Sequence, residues 1–328
     1  MIARHDVADA IDANDPARLM RIVDGMCSAR AWDDLVELAV RCRQAVEVGK
    51  QLWGVAYHAD YRLALEASPE YAAAVAATGG GGFTLGPLTE VAASSHRWAE
   101  LDPHLPPGKA RTLTAHERVV QGEDLAGVDG IDLYLVDLPL KLADWEPRYA
   151  TAAYRPDRAN HPTPDSPDLV SVKLPPPGAV VDHPDETDAL LALTETWVSQ
   201  SNGRSEAVVV EGTAQQAIAA LGPRKIRIGE TDLSGAMAWM AWAAASGGAH
   251  GKRPGAAAGR FAAWWAIAAL TDLLDPWPPD SNQLGETAAS LRWYFWDDLA
   301  PSTGWVLRLA AEDPEHGLAW AMTATDAE

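Results

Sequence analysis

The chain has 328 residues, with 46 Asp and Glu against 26 Lys and Arg, and its formal net charge is -20 at pH 7. This length allows two domains, and an apolar fraction of 48% is ordinary for a globular protein. So acidic a chain repels polyanions and its basic runs are short, which argues against nucleic-acid binding and membrane-surface binding as main activities.

Residues 1–125 are predicted to form helices joined by short turns. Apolar side chains recur at helical spacing, as Leu19, Ile22 and Met26 do in the first helix. The predicted helices are 16–29, 32–45, 51–67, 69–77, 83–94 and 109–121. Helix pairs in series are typical of an α-solenoid-like array, which serves either as an interaction surface or as a plain helical domain. The sequence shows no strict repeat period in this region.

From residue 126 onward, short β-forming segments appear. The predicted strands are 131–138, 149–154, 169–174, 207–210 and 225–228. Thr213 and Gln216 match a capping box that opens a helix between the last two strands, which predicts a βαβ unit with parallel strands and a right-handed crossover. Further helices are predicted at 189–199, 282–293 and 314–325.

The sequence therefore predicts an α+β fold that is mostly helical. An N-terminal helical array, 1–125, is expected to pack on a C-terminal α/β part, 126–328. The sheet is expected to be small and mixed and to contain the βαβ unit. Seven of the 14 tryptophans lie at or beyond Trp264, so the C-terminal helices are expected to be rich in tryptophan.

The stretch 233–271 differs from the rest of the chain, because no carboxylate lies between Asp232 and Asp272. Two apolar segments rich in Ala and Trp flank the turn SGGAHGKRPG. This pattern predicts two buried helices joined by a tight cationic loop, and it is the part of the sequence that indicates a binding site.

Glycines allow the backbone N–H groups of this loop to point inward, and the N-terminus of the following helix adds partial positive charge. The loop is therefore a candidate site for a phosphate or carboxylate. The candidate residues are Gly247, Gly248, His250, Gly251, Lys252, Arg253 and Arg260. The alternative is a tight helix–helix turn whose cations are solvated. The loop is not a P-loop, because Ser246 and Arg253 stand where that motif requires Gly and Ser or Thr.

Arg260 is the least ordinary of these residues, because it lies inside an otherwise apolar segment. A buried arginine needs a carboxylate or a bound anion as its partner. If the partner is a carboxylate of the chain, the candidates are Asp232, Asp272 or Asp275.

The sequence predicts no catalytic residue, no metal site and no cofactor. His58 and Asp60 are two positions apart on a predicted helix, so their side chains do not share a face and are not expected to bind metal. The turn after strand 207–210 lacks the glycine pattern of a dinucleotide site, and no nucleophile elbow occurs. Cys27 and Cys42 are expected to be reduced core residues. The N-terminus has no apolar signal segment, so a cytoplasmic location is expected.

The segment SGGAHGKRPGAAAGRFAAWWA, residues 246–266, is followed by Trp293, Trp296 and Trp305. In these features the chain resembles an uncharacterised family of actinobacterial proteins, a domain of unknown function. The resemblance implies no activity and no residue roles.

The leading functional hypothesis is a soluble cytosolic binding or interaction protein, which rests on the helical array and on the lack of a complete catalytic motif. The alternative is an enzyme or sensor that binds a phosphorylated or carboxylated small molecule at the loop and helix 247–260. The expected partner is thus a protein or a small anionic ligand. A homo-oligomer joined through the Trp-rich C-terminal helices is a further hypothesis.

Overall fold

The computed structural model of the chain describes residues 4–79, 84–132, 135–299 and 303–327. Helices and strands gather in two compact units. The helical unit comprises Met1–Arg118, Gly127–Leu135 and Ala152–Asn160. The sheet unit comprises Val119–Ala126, Val136–Thr151 and His161–Glu328. The chain therefore passes from one unit to the other several times.

The helical unit consists of short helices and one small two-stranded ribbon. Its α-helices are α1 Arg4–Asp12, α2 Pro16–Ser28, α3 Trp32–Glu47, α4 Trp53–Glu66, α5 Pro69–Ala77, α6 Leu88–Ser95, α7 Trp98–Leu101 and α8 Lys109–Val120, with a 3-10 turn at Asp102–His104. The antiparallel ribbon is β1 Ala153–Tyr154 with β2 Ala159–Asn160. The predicted helices in this region are confirmed to within a few residues at most ends. The predicted start of α6 at Phe83 lies outside the described residues.

Helix α2 shows why these segments are helical. Asp15 caps its N-terminus by accepting a hydrogen bond from the backbone N–H of Arg18 at 2.9 Å, and Pro16 occupies the first turn, where its missing N–H has no cost. Leu19, Ile22, Val23, Met26 and Cys27 form one buried face. The 3.6-residue spacing read from the sequence is therefore the spacing of the buried side chains.

The sheet unit contains six helices and seven strands. Its helices are α9 Pro184–Ala192, α10 Glu195–Gln200, α11 Ala214–Ala220, α12 Leu233–Ala245, α13 Ala256–Leu270 and α14 Ser281–Ser290. Its strands are β3 Val170–Lys173, β4 Ala179–Val180, β5 Arg204–Glu211, β6 Lys225–Thr231, β7 Arg292–Asp297, β8 Trp305–Asp313 and β9 Leu318–Asp326. They form one sheet in the order β3-β6-β7-β8-β9-β5-β4.

The α+β fold is confirmed, but the sheet is neither small nor mixed. Every neighbouring pair of its seven strands is antiparallel. Strands β5 and β6, which flank α11 in the predicted βαβ unit, do run in the same direction. They are not neighbours, because β9, β8 and β7 lie between them.

The C-terminal tryptophan-rich helices are the main error of the sequence prediction. Helix α14 ends at Ser290, and the chain is a strand from Arg292 onward; the predicted helix 314–325 is a turn followed by β9. Strand β9 is buried on both faces, with Ala319, Trp320, Ala321 and Met322 all below 4% exposed. A strand buried on both sides has no polar alternation, so its apolar run looks like a buried helix.

The predicted strands 131–138 and 149–154 are not confirmed as drawn from the sequence. In the segment 131–138, residues 133–134 lie outside the described residues, and the others form turns and irregular structure. Of the segment 149–154, only Ala153–Tyr154 is a strand. The predicted strands at 169–174, 207–210 and 225–228 are confirmed as β3, β5 and β6.

Helices cover both faces of the sheet. Helix α11 packs on one face through Ala217 and Ile218, against Val210, Ile226 and other apolar side chains. Helix α12 packs on the other face against β6, β7 and β8, and α13 packs on α12 and α9. The apolar stretch 233–271 is therefore a helix pair that belongs to the cover of the sheet.

Candidate functional site

The glycine-rich loop joins α12 to α13, as the sequence predicts, and five consecutive backbone N–H groups, those of residues 248–252, have acceptors in the chain. The backbone N–H of Ala249 donates to Oδ2 of Asp326 at 2.6 Å. The other hydrogen bonds of the loop run from Gly248 N–H to Ser246 Oγ, from His250 N–H to Ser201 Oγ, from Gly251 N–H to the carbonyl of Gly247, and from Lys252 N–H to Gln200 Oε1. A carboxylate of the same chain thus accepts one of the loop's backbone N–H groups.

The close approach of Asp326 explains why residue 248 is a glycine. Gly248 has φ +67°, and a Cβ atom there would overlap the Asp326 carboxylate. The side chains of His250 and Lys252 are exposed, and Arg253 is half-buried. The loop residues lie together, with their backbone turned toward the protein and two of their cationic or titratable side chains turned toward solvent.

Arg260 lies in the core, with no exposed side-chain surface. Its partner is Glu146, not Asp232, Asp272 or Asp275 as expected: Nε donates to Oε2 and Nη2 to Oε1, each at 2.7 Å. Nη1 and Nη2 also donate to the backbone carbonyls of Pro139 and Lys141 at 2.9 and 3.1 Å. Glu146 precedes Arg260 by 114 residues, so no local pattern indicated the pair.

Tyr149 completes this buried network by donating its hydroxyl to Oε2 of Glu146 at 2.6 Å. Burial raises the pKa of Glu146, but the hydrogen bonds and charge of Arg260 outweigh it, and the net pKa is lowered. Burial and the adjacent Glu146 carboxylate raise the pKa of Tyr149. Glu146 is therefore ionised and Arg260 is its counter-ion, so the four hydrogen bonds of Arg260 serve the core and not a ligand.

A second feature of the sheet unit is an open groove of about 900 Å³. Four segments line it: the start of α9, the chain from the end of α13 onward, the end of α14, and the turn between β8 and β9. The lining residues are Asp182, His183, Pro184, Asp185, Glu186, Ala269, Leu270, Thr271, Asp272, Leu274, Asp275, Thr287, Ser290, Leu291, Asp313, Glu315, His316, Leu318 and Trp320. This set contains seven carboxylates and two histidines, and among these described residues none is Lys or Arg.

The β8–β9 turn fixes one side of this acidic groove. Oδ1 of Asp313 accepts the backbone N–H groups of Glu315 and His316 at 2.8 and 3.1 Å. Oδ2 of Asp313 lies 2.7 Å from Nδ1 of His316. One carboxylate therefore organises the whole turn and holds the histidine at the groove.

The first turn of α9 fixes another part of the groove. His183 is the residue before the helix, and its Nδ1 lies 2.7 Å from Oε1 of Glu186. Asp185 and Glu186 lie in the first turn, where the helix dipole favours negative charge. The helix therefore stabilises the carboxylates that face the groove.

The floor of the groove is apolar and includes Leu270, Leu291 and Trp320. Trp320 is 3% exposed, and among the described residues its indole N–H has no hydrogen-bond acceptor. A buried N–H without an acceptor is unfavourable by about 1–3 kcal/mol. The groove thus combines an acidic rim with an apolar floor.

His316 gives a direct test of the charge at the rim. The hydrogen bond and charge of Asp313 raise the pKa of His316 above its ordinary value of 6.5. The contribution of this pair to stability is therefore present at low pH and is lost as the pH rises through the folded-state pKa. An NMR titration is expected to give a pKa above 6.5 in the wild type and a lower one in Asp313→Asn. The same pKa in both proteins would contradict the assignment.

Sequence reasoning missed the groove because its carboxylates come from three distant segments. In a chain with 46 Asp and Glu, a local acidic pair identifies no site. The pairing of β9 with β5 and the packing of α9 on β5 bring the β8–β9 turn near the start of α9. The groove was therefore detectable from the fold and not from a motif.

The described residues contain no group of three or more His, Cys, Asp or Glu side chains placed to hold a metal ion. In the same part of the chain, no helix has both the length and the apolar character that a membrane crossing requires.

Comparison with known proteins gives a family but no activity. The model of a family of unknown function matches residues 17–328. No curated protein and no solved structure matches the chain. The resemblance seen in the sequence, to a family of unknown function, is therefore confirmed.

Proposed function

We propose that this chain, which belongs to the family of unknown function DUF6183, is a soluble cytosolic binding protein whose acidic groove holds a cationic ligand. The observation that carries the proposal is the charge of the groove, whose lining includes seven carboxylates and neither Lys nor Arg. The glycine loop gives less support for a ligand site, because the N–H of Ala249 already donates to the Asp326 carboxylate. An anion site at 247–260 stays a prediction.

The groove keeps a strong negative potential over the physiological pH range. Its formal charge is -7 when His183 and His316 are neutral, since seven carboxylates line it, and -5 when both histidines are protonated. Carboxylates beside a low-dielectric apolar floor concentrate the electric field, which raises the local concentration of cations. A bound cationic ligand would attract these carboxylates and offset their mutual repulsion.

The charge of the whole chain acts in the same direction. With a net charge of -20, the protein attracts cationic partners over distances beyond direct contact, and this attraction weakens as salt screens it. Binding in the groove is therefore expected to be faster and tighter at low ionic strength.

Isothermal titration calorimetry with two trications tests the proposal. The probes are spermidine and the peptide acetyl-Ala-Lys-Ala-Arg-Ala-Lys-amide. The triple variant Asp182→Asn, Asp185→Asn, Asp272→Asn removes three exposed carboxylates from the rim. Binding of at least one probe is expected in the wild type, and the variant should weaken it on the order of tenfold or more, since single ion pairs contribute up to about 1 kcal/mol each.

The matched control changes the same number of charges elsewhere. Asp34→Asn, Glu47→Gln and Glu70→Gln remove three exposed carboxylates from the helical unit. If the two triple variants weaken binding equally, the net charge of the chain is responsible and the groove is not the site. If neither probe binds the wild type at low salt, the proposed function is wrong.

A further inference from the structure

We infer that the free edge of strand β3 binds an acidic segment of another protein in extended conformation, which adds one more strand to the seven-stranded sheet. The inference goes beyond the proposed function, because the site is separate from the acidic groove and takes a ligand of the opposite charge. Among the described residues that line the groove, none belongs to β3 or to its neighbour β6.

The backbone of the β3 edge is the first observation. Strand β3 lies at one end of the sheet and pairs with β6 only, among the described strands. Leu174 continues the register of this pair, and its backbone N–H donates to the carbonyl of Arg224 at 3.2 Å. Successive residues of an antiparallel strand direct their backbone groups to opposite sides, so Val172 faces β6 as Leu174 does. Ser171 and Lys173 therefore direct their N–H and C=O groups away from β6, where an added strand would bond to them.

The charge of this edge is the second observation. Lys173 lies directly opposite Lys225 of β6, both side chains are exposed, and neither has an ion-pair partner among the described residues. The two residues do not bond to each other through their backbones, and in such a pair the side chains approach most closely. Like charges directly opposite each other destabilise a sheet, so a carboxylate from an added strand would offset their repulsion.

The two faces of β3 differ in polarity, and this difference sets the sequence pattern of the partner. Val170 and Val172 lie on the face that α11 covers, opposite the buried Ile228 and Ile226 of β6. Val170 is 62% exposed, so a partner side chain can cover it. Lys173 lies on the other face. Because successive side chains of a strand point to opposite faces, the partner needs apolar residues at alternate positions with acidic residues between them.

The other charges near β3 set the direction of the partner. Arg227 lies on the same face as Lys173, but it already pairs with Asp297. The exposed carboxylates of Asp168 and Glu230 lie toward the N-terminal end of β3. The acidic residues of the partner therefore belong at the Lys173 end. In an antiparallel partner they come first in the sequence.

The opposite edge of the sheet, strand β4, does not fit such a partner. The backbone N–H of Val181 donates to the carbonyl of Val209 at 3.1 Å, so within this two-residue strand only Val180 directs its backbone groups outward. The nearby side chains of Glu211 and Asp182 are exposed and carry the charge of the peptide. An acidic strand is therefore expected at β3 and not at β4.

The probe is the peptide acetyl-Glu-Val-Glu-Val-Thr-Val-amide, titrated into the full chain and followed by NMR. The net charge of -20 opposes an acidic ligand at long range, so the titration is done at about 0.15 M salt, which screens charges more than about 8 Å apart. The backbone N–H signals of Ser171 and Lys173 are expected to move downfield, and the signal of Val172 is expected to move less. The peptide acetyl-Glu-Glu-Val-Val-Thr-Val-amide has the same composition without the alternation and is expected to bind roughly threefold more weakly or worse.

Ser171→Pro tests the backbone contact. Proline removes the outward N–H of Ser171 and leaves the pairing with β6 intact, because that N–H does not face β6. Binding of the peptide is expected to be lost. Ser171→Ala keeps the N–H, so it is the matched control and is expected to bind as the wild type does. Peptide binding that survives Ser171→Pro overturns the inference.

Reversing the two lysines tests the charge. The double variant Lys173→Glu, Lys225→Glu is expected to weaken binding about tenfold or more, since each reversal replaces an attraction by a repulsion. The matched control reverses two exposed lysines elsewhere, Lys109→Glu and Lys252→Glu, and is expected to leave the affinity unchanged. An equal loss in both double variants would make the net charge responsible and overturn the inference.

The wild-type measurements decide the inference even if Ser171→Pro does not fold. A peptide that leaves the signals of Ser171 and Lys173 in place overturns it. Sedimentation of the wild type supplies the remaining alternative. A dimer that Ser171→Pro converts to a monomer would assign the β3 edge to a second copy of the chain and overturn the acidic partner. None of these results depends on whether the acidic groove binds a cation.

Discussion

Replacing Arg260 with alanine is expected to lower the free energy of unfolding by about 3–5 kcal/mol, because it leaves the carboxylate of Glu146 buried without its counter-ion. Neither side chain of this pair has any exposed surface. The substitution also removes the donors for the carbonyls of Pro139 and Lys141. Urea denaturation followed by circular dichroism measures the loss.

Two comparisons separate a buried-charge effect from a general loss of packing. Arg227→Ala breaks an ion pair with Asp297 at the surface, where solvent screens the charges, so its effect is expected to be small. The double variant Glu146→Leu, Arg260→Met removes both buried charges and should be more stable than Arg260→Ala alone. If the double variant is the less stable of the two, the unpaired charge is not the cause.

Gly259→Ala is expected to destabilise the chain by about 1–3 kcal/mol or more, because it overpacks the contact between α12 and α13. A Cβ atom on Gly259 would overlap the backbone carbonyl oxygen of Ala241 and lie 2.8 Å from Cβ of Ala245. A backbone atom cannot rotate away, so the helices must separate. The midpoint of thermal unfolding measures the effect.

Gly54→Ala is the same chemical change in a helix with free space, and the opposite sign is expected. No atom lies within 4 Å of a Cβ built on Gly54 in α4. Alanine there should stabilise by about 0.4–1 kcal/mol, because it restricts the unfolded chain. If Gly259→Ala also stabilises the chain, α12 and α13 do not pack as closely as described.

Helices α2 and α3 of the N-terminal region were predictable because each has one buried face. In α2 the buried residues, such as Leu19, recur at helical spacing, and in α3 residues such as Leu38 do the same. Periodicity alone therefore identifies both helices. Strand β5 was predictable for a similar local reason, its run of β-branched residues.

Strand β9 and the pair Arg260–Glu146 were not predictable from local sequence. Ala, Trp and Met in β9 have weak or ambiguous preferences, and burial on both faces removes the alternation that identifies a strand. The sequence did show that a buried Arg260 needs a partner. It did not show which one, because the contact depends on how 114 intervening residues fold.

The order of the two units along the chain limits how the protein can be divided. A fragment that ends at residue 125 lacks 127–135 and 152–160, although both segments belong to the helical unit. It would lose Tyr154, whose hydroxyl donates to the buried Glu90 at 2.7 Å. Isolating the helical unit therefore requires a recombinant chain that joins residue 118 to 127 and residue 135 to 152. Truncation at one position does not isolate it.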